Sequence, residues 1–370
     1  MKITRVATTI VRSPFRYGAP EGAGGNPHLR TLDTLLVRVE TDAGVHGWGE
    51  GFGFTLADTT RTAIETLIGP ACLGRDPRDI AGLTNELRRR LHNFGRNGPV
   101  TFGISAIDIA LWDIAGKLAG KPLYRLLAGE ARPLARVPAY ASLLRYGDAA
   151  LVGRNAAEAY RRGYREVKLH EVEVPMVRAA RAALPAEVAI TIDVNCRWDD
   201  PADAVAFARA VDGLGVRWLE EPVWPPEDHA GLARVRAEGG LATAAGENAG
   251  QPEDFARMLA AGAVDYVQPS VTKIGGVSAM RAVAEIAARH GATLVPHSPY
   301  YGPGYLATLH LIAAWGRADV RLESYFLDAE LPIYGDALDP APDGTIAVPE
   351  APGLGLEPDP AVLARFAGSG

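Results

Sequence analysis

The sequence predicts an α/β chain in two parts: a closed (β/α)8 barrel preceded by a smaller α+β domain. Three observations carry that prediction. The chain has 370 residues, more than one small core needs, so two domains or a large barrel with an addition are the natural expectations. Beyond Pro133, short apolar strands alternate with amphipathic helices, the rhythm of parallel βαβ units. About eight such units follow one another, the number that closes a barrel.

The elements follow in order. Ile3 to Arg12 alternates and is rich in β-branched residues, and Leu32 to Glu40 reads as a second strand. Thr41-Asp42-Ala43-Gly44 is a turn before Val45 to Glu50, which completes a small meander. From Asp58 the pattern turns helical and ends in Thr101 to Leu118, whose apolar positions recur at helical spacing. Residues 1–126 are thus expected to form the α+β domain. Residues 127–345 form the barrel, with strands at Val137–Ala141, Glu166–His170, Ala189–Asn195, Arg217–Pro222, Ala242–Glu247, Asp265–Pro269, Thr293–His297 and Arg321–Tyr325. Helices fall between most of them, among them Asn155 to Arg162, Pro201 to Leu214 and Gly276 to His290. Residues 346–370 are Pro/Gly-rich before a last helical segment, Pro360 to Phe366, expected to return to the first domain. The glycine-rich stretch Gly18 to Gly25 follows a strand but opens no helix, so a substrate-covering loop is expected there rather than a dinucleotide site.

Composition narrows the function. A formal net charge of −6 and the lack of basic runs argue against nucleic acid or an anionic membrane surface as the main partner. Two cysteines, Cys72 and Cys196, indicate no disulfide framework and suit a reducing cytoplasm. No uninterrupted apolar run reaches membrane-spanning length, and the first residues lack the apolar core of a secretory signal. A small-molecule partner remains.

In a barrel of this kind the working residues sit at the C-terminal strand ends. Those ends offer Lys168 and His170 on strand two, Asp193 and Asn195 on strand three, and Glu220 on strand four. Glu247 ends strand five, Ser270 and Lys273 follow strand six, His297 ends strand seven and Glu323 lies on strand eight. Asp193, Glu220 and Glu247 are spaced 27 residues apart each time, one βα unit per step. Taken singly, each acid reads as a solvated strand end. Three converging carboxylates repel one another unless a cation lies between them, and oxygen-only ligands select a hard ion such as Mg²⁺. Lys168 and His170, two apart on one strand, point to the same side, where either can act as a base. The bland alternative is that Lys168 neutralises the carboxylates and His170 packs. His297 comes from the far side of the barrel, facing a substrate from the opposite direction. Glu323, if protonated, can hydrogen-bond a substrate carboxylate; otherwise it makes a salt bridge at the rim.

With these residues in view, the chain resembles the enolase superfamily, in particular its mandelate racemase branch. Lys168-Leu169-His170, Asp193-Val194-Asn195, Leu219-Glu220-Glu221-Pro222, Gly246-Glu247-Asn248, Lys273-Ile274-Gly275-Gly276-Val277 and His297 carry the resemblance. Gly47-Trp48-Gly49-Glu50 and Ala106 to Asp113 extend it over nearly the whole chain. The resemblance implies a capping domain over a modified (β/α)8 TIM barrel. It implies Mg²⁺ bound by the three acids, with Glu220 as ligand and Glu221 outside, and removal of the proton α to a carboxylate. Such a proton is weakly acidic, so electrostatic stabilisation must carry most of the barrier reduction. Two positions depart from the branch. His170 stands where a second lysine is usual, and Ser270 stands where an aspartate partners the strand-seven histidine. Without that aspartate, His297 is expected to serve as an acid rather than as an equal second base.

The leading expectation is therefore dehydration of a sugar acid to a 2-keto-3-deoxy acid. A base at Lys168 or His170 takes the α-proton, and His297 assists the β-hydroxyl. Asn195, Ser270 and Lys273 suit a polyol carboxylate, and Arg16, Tyr17 and Phe52-Gly53-Phe54 of the capping domain are expected to set specificity. Racemisation, epimerisation or cycloisomerisation of a carboxylate is the alternative. A non-catalytic metal-binding scaffold is a third reading, set against the complete acid triad. A homo-oligomer is expected, as is common in such folds.

Overall fold

The computed structural model describes residues 1–20 and 31–366, so the Glu21–Gly25 part of the glycine-rich stretch lies outside the described residues. Strands β1 (Ile3–Arg16), β2 (Thr31–Thr41) and β3 (His46–Gly51) form an antiparallel sheet. The Thr41–Gly44 turn joins the last two, with Thr41 N–H donating to Val45 O. Helices α1 (Ala57–Ala63) and α2 (Gly69–Cys72) are joined through a π-turn at Ile64–Ile68. Then come α3 (Ile80–Leu91), N-capped by Asp79, α4 (Pro99–Ala119) and α5 (Leu123–Leu127). Pro99 suits the first turn of α4, and left-handed Gly120 ends it.

Helix α4 explains two of the N-terminal motifs. A Cβ at Gly49 would meet Ala106 O at 1.9 Å, so glycine is what lets β3 lie directly on the helix. Asp113 accepts from Trp48 N–H (2.9 Å) and Leu354 N–H (2.8 Å), tying sheet, helix and C-terminal segment together. Among the described residues α4 is the one helix long and apolar enough to cross a membrane, and 83% of its apolar window is buried in the fold. It reads as a core helix.

The second part alternates strand and helix: β4 (Arg136–Ser142), α6 (Ala149–Arg161), β5 (Glu166–Leu169), α7 (Val174–Ala183), β6 (Ala189–Asp193) and α8 (Pro201–Val211). It continues with β7 (Val216–Glu220), α9 (His229–Glu238), β8 (Ala242–Ala245), α10 (Pro252–Ala260), β9 (Tyr266–Val267), α11 (Gly276–His290), β10 (Thr293–Leu294), α12 (Pro303–Trp315) and β11 (Leu322–Tyr325). All eight expected strands are present and parallel; β4 to β10 each pair with their sequence neighbours, and β11 pairs with β4. Tyr140, Trp218, Ala244 and Val295 pack together as an inner layer. Trp112 Nε1 donates to Ser278 Oγ (2.9 Å), and Ser278 N–H donates to Asp108 (3.0 Å). Both contacts fasten α4 to α11.

The barrel is of the modified kind that the family resemblance implies. Seven βα units are followed by an eighth strand with no helix of its own. After Tyr325 the chain is drawn to the first sheet, where β12 (Asp328–Ala329) pairs antiparallel with β1. It then returns as β13 (Thr345–Ala347), antiparallel to β4. Between β10 and β11 no ladder forms among the described residues. Ser298 bridges the seam instead, N–H to Glu323 Oε2 and Oγ to Glu323 O, each 3.1 Å. Finally α13 (Pro360–Phe366) returns to the first sheet, with Val362 packed beside Val11, Leu36 and Trp48.

Candidate active site

The site lies where the strands end, and the ends are shorter than the sequence pattern suggests. β6 stops at Asp193, because Asn195 and Cys196 take left-handed φ of 48° and 54°. Glu221 does the same after β7, at φ 44°, which turns Glu220 and Glu221 apart. Glu247 follows Gly246, whose φ of 135° and close approach to Gln268 N exclude a side chain. These local bends bring one carboxylate oxygen from each of Asp193, Glu220 and Glu247 to within 4.8 Å of one another.

Lys168 is buried directly beneath them. Its Nζ lies 2.7 Å from Glu220, 3.0 Å from Asp193 and 3.1 Å from Glu323. Burial works against its charge, but the surrounding carboxylates, Asp193 foremost, hold the ammonium well above its ordinary range. Burial pushes Glu220 well above the usual carboxylate range despite Lys168, with Asp193 and Glu323 adding to the rise. One ammonium therefore does not neutralise the cluster. An oxygen-only donor set with surplus negative charge fits a hard divalent cation. Around it, Trp218 Nε1 donates to Glu220 Oε2 (3.1 Å), and Asn195 donates to Asp193 Oδ1 through N (2.9 Å) and Nδ2 (3.0 Å), fixing two of the three acids.

Two histidines complete the site. His170 sits just past β5, with Nδ1 2.5 Å from Leu143 O and Nε2 3.4 Å from Asp193. A carbonyl only accepts, so Nδ1 carries a proton, and Nε2 is the nitrogen turned toward Asp193. His297 follows β10. Its Nε2 lies 2.7 Å from Glu247, and its Nδ1 faces Ser270 Oγ (3.1 Å) and Tyr300 Oη (3.4 Å). Burial raises Glu247, but His297 and then Lys273 outweigh it and hold the carboxyl at about 2.

Both histidines, with Asn195, Glu247 and Glu323, line one cavity of about 310 Å³, closed from the first domain by Phe15, Tyr17, Phe52 and Phe54. Other expected site residues lie elsewhere. Lys168 is beneath the cavity, 0% exposed. Ser270 stands behind His297. Lys273 Nζ rests 4.8 Å from the centre of the Phe52 ring. Arg16 is exposed in the pairing of β1 with β12, opposite Asp328. None of these four lines the cavity. Glu323 lies at the cavity wall, paired with Lys168. Burial raises the Glu323 carboxyl, but Lys168, His297, Ser142 and Ser298 together hold it below the usual range. Sequence reading missed Tyr300, Tyr325 and Arg145. Arg145 follows the first barrel strand, where the strand-end rule applies as at the others.

Three acids at the strand ends of a capped barrel, with histidines facing the same cavity from strands five positions apart, define an enzyme of the carbon-acid type. Residues 27–128 match the family described as mandelate racemase/muconate lactonizing enzyme, N-terminal domain, and residues 152–362 match the enolase C-terminal domain-like family. The chain belongs to the mandelate racemase/muconate lactonizing enzyme family of the enolase superfamily. It is 32% identical to a D-galactarolactone cycloisomerase of Agrobacterium fabrum, over 99% of both chains. It is also 32% identical to a D-galactonate dehydratase of Ralstonia nicotianae, over 98% of this chain and 94% of that one. The solved structure of a racemase from Streptomyces coelicolor with bound magnesium is 29% identical, covers 98% of this chain and 99% of its own, and superposes with a TM-score of 0.85.

Proposed function

We propose that the protein removes the proton α to the carboxylate of a sugar acid and expels the oxygen on the β-carbon, with Mg²⁺ held by Asp193, Glu220 and Glu247. The observation that carries this reading is the unlike pair of histidines lining one cavity beside the acid triad. When bound, Mg²⁺ supplies positive charge against the negative charge that develops on the substrate carboxylate. His170 accepts the α-proton at Nε2, and Asp193 stabilises the imidazolium that results. His297, approaching from the other side, delivers a proton to the departing oxygen. In its charged form Nδ1–H donates to Ser270 Oγ, which leaves Nε2–H, paired with Glu247, as the proton facing the cavity. Lys168 stays charged and holds Asp193, Glu220 and Glu323 in place.

When the departing oxygen is a hydroxyl, water leaves and the enol tautomerises to a 2-keto-3-deoxy acid. When it belongs to a ring, the same step opens the ring with no change in mass, which is cycloisomerisation. Both a dehydratase and a cycloisomerase stand among the relatives. Racemisation needs His297 to work as a base, which Ser270 and Tyr300 at its Nδ1 do not promote. The test is a panel of open-chain and lactonised sugar acids with Mg²⁺, read by keto-acid formation and product mass. Formation of a 2-keto-3-deoxy acid from one of them supports the reading. Neither product nor exchange of the α-proton in D₂O with any member would overturn it.

A further inference from the structure

Arg145 is an arginine lining the cavity that this mechanism does not use. It stands three residues past β4, and Nε donates to the carbonyl of His170 at 2.5 Å. The Glu171 carboxylate feels the charge of Arg145 but is occupied by backbone amides, and no carboxylate forms a close ion pair with the guanidinium among the described residues. Its segment is held firmly. Glu171 accepts from Tyr146 N–H (2.7 Å) and Gly147 N–H (3.2 Å). Tyr146 also stacks on Tyr17, with ring centroids 6.0 Å apart and planes 9° apart, and donates to Tyr17 O (3.0 Å). Arg145 is thus presented from a pinned turn and not from a free side chain on a loose loop.

The amide and the carboxylates of the cavity are already engaged. Asn195 holds Asp193, Glu323 holds Lys168 and accepts from Ser142 and Ser298, and Glu247 belongs to the acid triad. Much of the remaining wall is aromatic or aliphatic, including Phe15, Phe52, Phe54 and Leu144. A rigid cation on an apolar wall selects a planar anion, which it can meet with two parallel hydrogen bonds. Its contribution grows as the wall excludes water.

We infer that Arg145 is a specificity-determining residue that binds a second carboxylate of the substrate, so that the preferred substrate is a sugar diacid. The inference rests on the reading of this cavity as the sugar-acid site. The same cavity is lined by Glu247 of the acid triad and by Arg145, so a diacid would set one carboxylate at the cation the triad holds and the other at the guanidinium.

The test compares six-carbon sugar diacids with the monoacids of matched configuration, in wild type, Arg145→Gln and Arg145→Lys. Wild type is expected to favour the diacid in kcat/KM by about tenfold or more. Arg145→Gln should erase that preference through the diacid alone, while Arg145→Lys keeps part of it. Equal losses on both substrates in Arg145→Gln would mean that the residue only supports His170, and a wild-type preference for the monoacid would equally overturn the inference. A binding measurement keeps the inference testable if no sugar acid turns over. With Mg²⁺ present, calorimetry compares adipate with 6-hydroxyhexanoate, which differ only at the far end. Tighter adipate binding that disappears in Arg145→Gln supports the inference. Equal binding of the two by wild type, or a preference that persists in the variant, contradicts it.

Discussion

The β5 and β10 sides of the cavity each present an imidazole, and the surroundings make them different tools. On the β5 side, His170 is anchored by a backbone carbonyl that can only accept, beside a carboxylate that welcomes a positive ring. That is the setting of a base. On the β10 side, His297 has hydroxyls at Nδ1 and the Glu247 carboxylate at Nε2. Its carboxylate partner thus stands at the cavity-facing nitrogen and neutral hydroxyls stand at the far one, the reverse of an anchor that would turn Nε2 into a free base. The comparison teaches that residue type alone does not assign a role; the atom behind the far ring nitrogen does.

The comparison can be broken at several points. The largest effect is expected from the triad on which both sides depend. Asp193→Asn or Glu247→Gln should abolish turnover, a loss on the order of 10⁴-fold or more, together with Mg²⁺ binding by calorimetry. Wild-type affinity for Mg²⁺ in either variant would remove the metal assignment. Next, His170→Asn should cost about 10³-fold in kcat and stop α-proton exchange. A variant that still exchanges would return the base role to Lys168. Lys168→Met, in turn, leaves three buried carboxylates without their cation. It should destabilise the metal-free protein by about 3–5 kcal/mol in denaturant unfolding, with much of the loss recovered in saturating Mg²⁺. A loss that ignores Mg²⁺ would show that Lys168 does not share its carboxylates with the metal.

The smallest effect lies outside the two histidines, at the joint between the domains. Burial pushes Glu50 up to about 8, against hydrogen bonds from the Gly304 and Gly302 amides. A carboxyl raised above its unfolded value of 4.5 keeps its proton in the folded state. Its stability is therefore full below the unfolded value and is lost as pH rises toward about 8, with a slope of at most about 1.4 kcal/mol per pH unit. Glu50→Gln should flatten that decline in thermal unfolding between about pH 5 and 8. An unchanged slope would place the titration elsewhere.

Much of this molecule is legible in its sequence. The strands alternate with helices, the three acids recur at one βα interval, and the motif Gly47-Trp48-Gly49 carries its own reason in the close approach of β3 to α4. The illegible parts have physical causes. The missing eighth helix depends on β12 pairing with a strand more than three hundred residues earlier, and no local pattern announces such a pairing. Ser270 and Lys273 follow a strand end as site residues do, yet one turns behind His297 and the other onto Phe52. Lys168 and His170 share a side of the strand, as their spacing indicates, but depth separates them. One is sealed among carboxylates and the other opens into the cavity, and spacing carries no information about depth. Arg145 was reachable by the same strand-end rule.

The division of labour between the histidines is tested most directly by following the α-proton in D₂O, with Mg²⁺ and a substrate that turns over. His297→Asn should form product slower by about 10²-fold or more while still exchanging deuterium into the α-position, and His170→Asn should do neither. Exchange that survives in His170→Asn and disappears in His297→Asn would contradict the account.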